Sequence, residues 1–156
     1  SSLGGLGVFA HVPIAAGETV CVWGGGVITT AELIDWRGRL PSIDNRCIMV
    51  ADGFLLASVS EDIDDAERFN HHCAPNLGVV GQVVLIARRP VAAREELTFD
   101  YDTTELHMPP FACSCGAPHC RGVIDGTGWR REEFRARHAG LLAPHVEAAI
   151  RREADA

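Results

Sequence analysis

Three thiols fall within one eight-residue run, Cys113-Ser114-Cys115-Gly116-Ala117-Pro118-His119-Cys120. Thiolates are preferred ligands of structural zinc, which is four-coordinate and tetrahedral. Gly116 and Pro118 supply the turn that lets both ends of the run face one ion. Flanked by Pro109 and Pro110, the segment is too polar and too broken to be a core element, so buried free cysteines do not account for it. Three ligands leave the tetrahedron one short. Cys73, His119, His107, His71 and His72 are candidates for the fourth position, with Cys21 and Cys47 behind them. The last two lie in apolar, strand-like runs, where cysteine more often packs as a small hydrophobe.

Two further runs carry polar chemistry. Asn70-His71-His72-Cys73-Ala74-Pro75-Asn76 offers donors and acceptors from adjacent positions of one turn. Glu95-Glu96-Leu97-Thr98-Phe99-Asp100-Tyr101 ends in the one tyrosine of the chain.

The elements that must position these groups are short. Glu18–Trp23 reads as a strand after Gly17, and Cys47–Val50 and Phe54–Val59 flank Asp52-Gly53, a strong hairpin signal. Val79–Ala87 reads as one further strand, closed by Pro90. Thr29-x-x-Glu32 is a capping box that opens a short helix ending near Gly38. Trp129–His138 and Pro144–Arg152 read as helices, the second with proline at its start.

The chain has 156 residues, enough for one ordinary domain with its own core. It has no apolar run of about 18 residues, so no membrane-spanning segment is expected. The glycine-rich start, 1–9, lacks the basic and apolar regions of a signal peptide, and the cysteine pattern suits a metal site rather than disulfides. A cytoplasmic or other reducing compartment is therefore expected. A net charge of −7 argues against direct nucleic-acid binding and suits a basic protein or peptide partner. Glu61–Glu67 packs five acids into seven residues and reads as a solvated loop, or as an attractor of that partner. All 14 basic residues are arginine, so the chain offers no lysine side chain of its own as a target.

Taken together, four pieces resemble the SET-domain protein lysine methyltransferases. Gly5-Leu6-Gly7-Val8-Phe9-Ala10 looks like the family's GxG motif, and 70–76 matches NHxCxPN. Glu96–Tyr101 matches ELTFDY, and Cys113–Gly122 matches CxCGxxxCRG, the zinc-binding post-SET segment. The resemblance implies a mainly β fold of small curved sheets, with a knot-like threading of the C-terminal segment, short helices and a helical tail. Its divisions would be a SET domain over 4–106, a zinc-binding loop over 107–124 and the tail over 125–156.

The same resemblance implies S-adenosylmethionine as methyl donor and a lysine ε-amine of a protein as acceptor. Gly5, Leu6, Gly7, Trp23, Asn70, His71 and Tyr101 would then bind the donor. Tyr101 would be the catalytic group, and Phe99 and Phe54 would line the lysine channel. Cys73 would complete one structural zinc ion with Cys113, Cys115 and Cys120. Arg94 stands where the family carries glycine, so the turn there is expected to differ. The tail, with Trp129, Phe134, Leu141 and Leu142 between arginines, is expected to pack on the domain or to form a homodimer. A catalytically silent SET-fold module, stabilised by zinc and binding basic peptides, is the alternative.

Overall fold

Turn-forming residues interrupt the chain every few positions, and the strands between them are correspondingly short. The computed structural model describes residues 1–3, 5–40, 42–58 and 65–156, with residues 44 and 45 described by backbone alone. In chain order the elements are β1 (Val8–Phe9), β2 (Thr19–Val22), β3 (Gly26–Thr29) and α1 (Thr30–Arg39). There follow β4 (Cys47–Ala51), β5 (Phe54–Ala57), β6 (Asn70–His71), β7 (Leu77–Val80), β8 (Val84–Ala87) and β9 (Glu96–Phe99). Last come β10 (Phe111–Ala112), β11 (Val123–Ile124), α2 (Glu132–Arg137) and α3 (Pro144–Ala154).

Among the described residues these strands form four small sheets, ordered β3-β5-β4, β2-β8-β7, β1-β9-β6 and β10-β11. The hairpin expected at Asp52-Gly53 joins β4 to β5, which pair antiparallel with Ile48 opposite Leu56. The capping box also forms. Thr29 Oγ1 accepts the Glu32 N–H at 3.2 Å, and the Glu32 carboxylate accepts the Thr29 N–H at 2.8 Å. The helix continues through Gly38 to Arg39, its last amide partner being Leu40 N–H to Trp36 C=O.

Two expectations fail locally. The run 79–87 is not one strand but the facing ends of β7 and β8, paired Val80 with Val84. Gly81 sits at φ +61, a left-handed conformation that reverses the chain inside an otherwise strand-like composition. In 129–138 a 3-10 turn, Gly128–Arg130, comes first, and regular helix is confined to α2.

The sheet that matters most is β1-β9-β6. β9 pairs antiparallel with β1, Val8 opposite Leu97, and parallel with β6, Asn70 opposite Thr98. Parallel pairing sets the asparagine-histidine run beside the strand that leads to Tyr101. Asn76 fixes this register from the far side. Its side chain donates to the Glu96 carbonyl at 2.7 Å and accepts the Thr98 N–H at 2.9 Å.

The C-terminal segment packs on the domain, as one of the two expectations for it had it. Trp129, Phe134, Ala143 and Val146 are buried in the same apolar cluster as Trp23, Leu77, Leu85 and Phe99. Ala143 N–H donates to Thr103 C=O at 2.9 Å, which stitches the segment to the residues just past Tyr101. Of the apolar side chains named for the tail, Trp129, Phe134 and Leu142 are buried within this chain, and Leu141 is half-buried. Among the described residues no helix is long and apolar enough to cross a membrane.

Arg94 adopts φ +67, the conformation glycine would take, so the turn keeps a glycine geometry despite the substitution. A side chain there costs about 1–2 kcal/mol. Arg94→Gly should raise Tm by roughly 2–8 °C in a thermal melt, at about 2–4 °C per kcal/mol for a chain of this size. An unchanged or lower Tm would show that Arg94 contacts offset the strain.

Candidate functional site

The four sulfurs come together. Sγ atoms of Cys73, Cys113, Cys115 and Cys120 all lie within 4.8 Å of one another. The Cys73–Cys113 separation of 3.9 Å is close to the ~3.8 Å edge of a tetrahedron with 2.3 Å zinc–sulfur bonds. The local chain explains the convergence. Cys113 N–H donates to Gly122 C=O at 2.8 Å and Cys120 N–H to Ala117 C=O at 2.9 Å, closing the loop on itself.

The chemistry of the donors fits a cation as well as their spacing does. Burial drives the Cys73 thiol far above its ordinary pKa and Cys113 up to about 11. Burial also raises Cys115, but the Cys73 and Ala117 amides and the neighbouring thiols more than offset it, leaving that thiol at about 7. A zinc ion would deprotonate all four and be held as a structural centre. His119 is not a ligand here, since its Nε2 meets the Cys73 carbonyl at 2.9 Å. Cys47 donates its thiol to Ile43 C=O at 3.1 Å, and Cys21 lies in β2.

His71 joins the cluster to the tyrosine. Its Nδ1 accepts the Tyr101 N–H at 3.2 Å, so the ring proton resides on Nε2, which lies 3.4 Å from Cys73 Sγ. Burial holds the imidazole at about 4, hence neutral near pH 7, despite the nearby Asp100 carboxylate. The ring faces inward and both of its nitrogens are engaged within the protein.

Beneath lies a buried charge network that motif spacing did not reveal. Arg121, the residue after Cys120, grips Asp100 with two hydrogen bonds of 2.7 and 2.6 Å and reaches Asp102 at 3.1 Å. Asp102 in turn accepts the Gly126 and Gly128 amides, each at 3.0 Å. The Arg121 guanidinium also sits 5.1 Å over the Phe134 ring. The adjacency of Arg121 to a zinc ligand was visible in the sequence, but its partners were not.

A cavity of about 1130 Å³ opens beside this frame. Leu6, Trp23, Arg68, Asn70, Phe99, Tyr101 and Glu105 are among the residues that line it. Gly7 makes the approach of the N-terminal loop possible, because a Cβ there would stand 2.4 Å from Glu96 Oε1 and 2.9 Å from Asn70 Nδ2. Asn70 uses that space to donate to Leu6 C=O at 2.9 Å and to Glu96 at 2.8 Å. Gly5, at φ +57, turns the loop toward it. Trp23, Phe99 and Tyr101 form a contiguous aromatic wall with centroid separations of 5.1 and 4.9 Å. The Trp23 indole donates to Ala66 C=O at 3.0 Å, and the Tyr101 hydroxyl donates to Phe69 C=O at 2.9 Å. Burial lifts that phenol to about 12, so it stays protonated.

The structure does not bring Phe54 to this cavity. It begins β5 opposite Thr29, 46% exposed, while its neighbours Leu55 and Leu56 do line the space. Of the acidic run, residues 61–64 lie outside the described residues. Glu67 is not solvated but ion-paired with Arg46 at 3.3 Å, its side chain 8% exposed.

The SET domain family profile matches residues 5–102. Histone-lysine N-methyltransferase ATX2 of Arabidopsis thaliana is 32% identical over 167 aligned positions, covering 94% of this chain and 14% of that protein. Histone-lysine N-methyltransferase ash1 of Drosophila melanogaster is 33% identical, covering 81% of this chain and 6% of that protein. The chain thus spans a small part of the relatives it matches. Among solved structures, KRYPTONITE in complex with mCHG DNA and SAH aligns with a TM-score of 0.55 and 28% identity, over 75% of this chain and 26% of that one.

Metal analysis of the purified protein should give one zinc per chain. Cys73→Ser should lose most of it, whereas Cys47→Ser should keep it; retention of full zinc by Cys73→Ser would remove Cys73 from the ligand set.

Proposed function

Because the chain belongs to the SET-domain family, we propose that it is a protein-lysine N-methyltransferase, transferring the methyl group of S-adenosylmethionine to a lysine ε-amine. The observation that carries this reading is the aromatic wall ending at the Tyr101 hydroxyl, in one cavity with the Gly5–Gly7 loop and Asn70. The names of the relatives, histone-lysine N-methyltransferases, point the same way. A basic, lysine-bearing protein segment is the acceptor this reading implies, in keeping with the net charge of −7.

The donor's sulfonium supplies a methyl already activated for displacement. The chain's task is to bind, orient and desolvate. Gly7 and Asn70 hold the N-terminal loop where the donor would lie, and Leu6 and Trp23 cover it. An acceptor amine must first lose a proton. With an ordinary pKa near 10.4, roughly one lysine in a thousand is neutral at pH 7, a penalty of about 4 kcal/mol. A wall of Trp23, Phe99 and Tyr101 reduces that penalty by excluding water, which disfavours the ammonium form. With the donor held beside the Gly5–Gly7 loop and Asn70, its methyl would be open to displacement by the amine lone pair, the C–S bonding electrons leaving with sulfur. Tyr101, protonated and held by Phe69 C=O, orients the amine in line with methyl and sulfur.

With labelled donor and a peptide array, wild type should label lysine peptides. Tyr101→Phe should lower the rate by about 10²-fold, the order lost when reacting groups are misplaced. Donor binding without any transfer would favour the silent binding module. By the family resemblance Phe99 stands where phenylalanine leaves room for further methyl groups, so mass spectrometry should find products beyond monomethyl-lysine from wild type and monomethyl-lysine alone from Phe99→Tyr. Monomethyl product alone from wild type would contradict that assignment.

A further inference from the structure

Besides Glu67, the cavity wall carries a second acid, Glu105. Glu105 lies one turn past Tyr101, its N–H donating to the Tyr101 carbonyl at 3.0 Å, and both side chains line the same cavity. The carboxylate is deep in the protein yet reached by the cavity. Its two protein hydrogen bonds, from Met49 N–H at 3.0 Å and Thr104 Oγ1 at 3.3 Å, both fall on Oε1. Oε2 has no protein donor among the described residues.

The surrounding charges do not compensate it. Arg46, across the cavity, pairs with Glu67 at 3.3 Å, and Asp102 is turned away onto Arg121, Gly126 and Gly128. The Tyr101 hydroxyl is committed to Phe69 C=O, and His145 of α3 meets the Thr104 carbonyl. Arg37, Arg68 and His107 share the cavity wall, but no ion pair joins any of them to Glu105 among the described residues. A carboxylate placed this deep without a cation is costly unless a ligand brings one.

We propose that Glu105 is a substrate-binding carboxylate, which receives the ammonium group of the incoming lysine and takes up its proton. The proposal rests on the methyltransferase reading and deepens it. An N–H bond of the ammonium breaks, an O–H bond forms on Oε2, and the nitrogen keeps the electron pair with which it attacks the methyl carbon. The proton then leaves to solvent through the open cavity. Burial, acting against the Met49 and Thr104 hydrogen bonds, raises the carboxyl to about 7, a value suited to accepting a proton near neutral pH and releasing it again. Oε1 stays anchored to β4 throughout, so the group is preorganised.

The test compares peptide binding with activity. The probes are an arginine/alanine peptide with one central lysine and the same peptide with norleucine, titrated into protein saturated with S-adenosylhomocysteine. Wild type should prefer the lysine peptide by tenfold or more at pH 8. Glu105→Gln, which keeps an acceptor for Met49 N–H, should erase that preference while leaving Tm unchanged and S-adenosylhomocysteine affinity within twofold of wild type. In kcat/KM profiles the acid limb near pH 7 should vanish with it. Equal binding of the two peptides by wild type, or an unchanged preference in Glu105→Gln, overturns the proposal. So does a loss of S-adenosylmethionine relative to S-adenosylhomocysteine affinity in Glu105→Gln, which would assign the carboxylate to the donor sulfonium. Loss of fold in Glu105→Gln is read from Tm, and Glu105→Asp then serves, with a weakened lysine preference expected and a full one contrary. Intact lysine preference without methyl transfer would defeat the methyltransferase reading and leave the ammonium site standing.

Discussion

The Asp100 carboxylate, almost wholly buried, is the constraint around which the rest is arranged. A charge in that position must be met by an opposite one and by hydrogen bonds, or the protein would not tolerate it. Arg121 meets it with a two-pronged grip and shares its remaining charge with Asp102. Each end of the pair has a neighbour of consequence. Asp100 precedes Tyr101, and Arg121 follows Cys120. The ion pair therefore fixes the tyrosine relative to the cysteine loop, and removing one partner would leave an uncompensated buried charge worth about 3–5 kcal/mol.

A second link runs parallel to the first. Through its two ring nitrogens, His71 couples the Tyr101 backbone amide to the Cys73 sulfur. Where zinc binds the thiolates, that N–H would face a sulfur carrying negative charge, which strengthens the contact. The metal centre, the tyrosine and the parallel pairing of β6 with β9 then form one rigid unit. The C-terminal segment closes it from outside, with Phe134 under the Arg121 guanidinium and the Gly126 and Gly128 amides on Asp102. The cavity beside this unit is left as the place where groups can move.

What could be read from the sequence follows a physical division. Features set by local chain chemistry were legible: the Asp52-Gly53 hairpin, the Thr29/Glu32 cap and the helix after Pro144 all formed near where expected. The cysteine cluster was legible because metal ligands in one loop leave a dense spacing pattern, although the fourth ligand needed the family resemblance. Features set by long-range contact were not. Phe54 was expected to line the channel, but at the turn end of β5 it is exposed, while Leu55 and Leu56 further along the strand line the cavity. The setting of the His71 ring, between a buried carboxylate and a thiol, was equally hidden. Gly81 hid a turn inside a run whose valines and isoleucine read as one strand. Arg121 stood beside a zinc ligand but its partners were hidden, and Glu105 carried no signal, because the meaning of each depends on a partner, or the lack of one, many residues away.

The cysteine loop holds the tyrosine segment in place through the Asp100–Arg121 pair and His71. Hydrogen–deuterium exchange before and after zinc chelation tests it most directly. If the account holds, chelation will deprotect the amides of 99–104 along with those of 113–122, well before global unfolding. Deprotection confined to 113–122, with 99–104 unchanged, would contradict it and reduce the metal centre to a local staple.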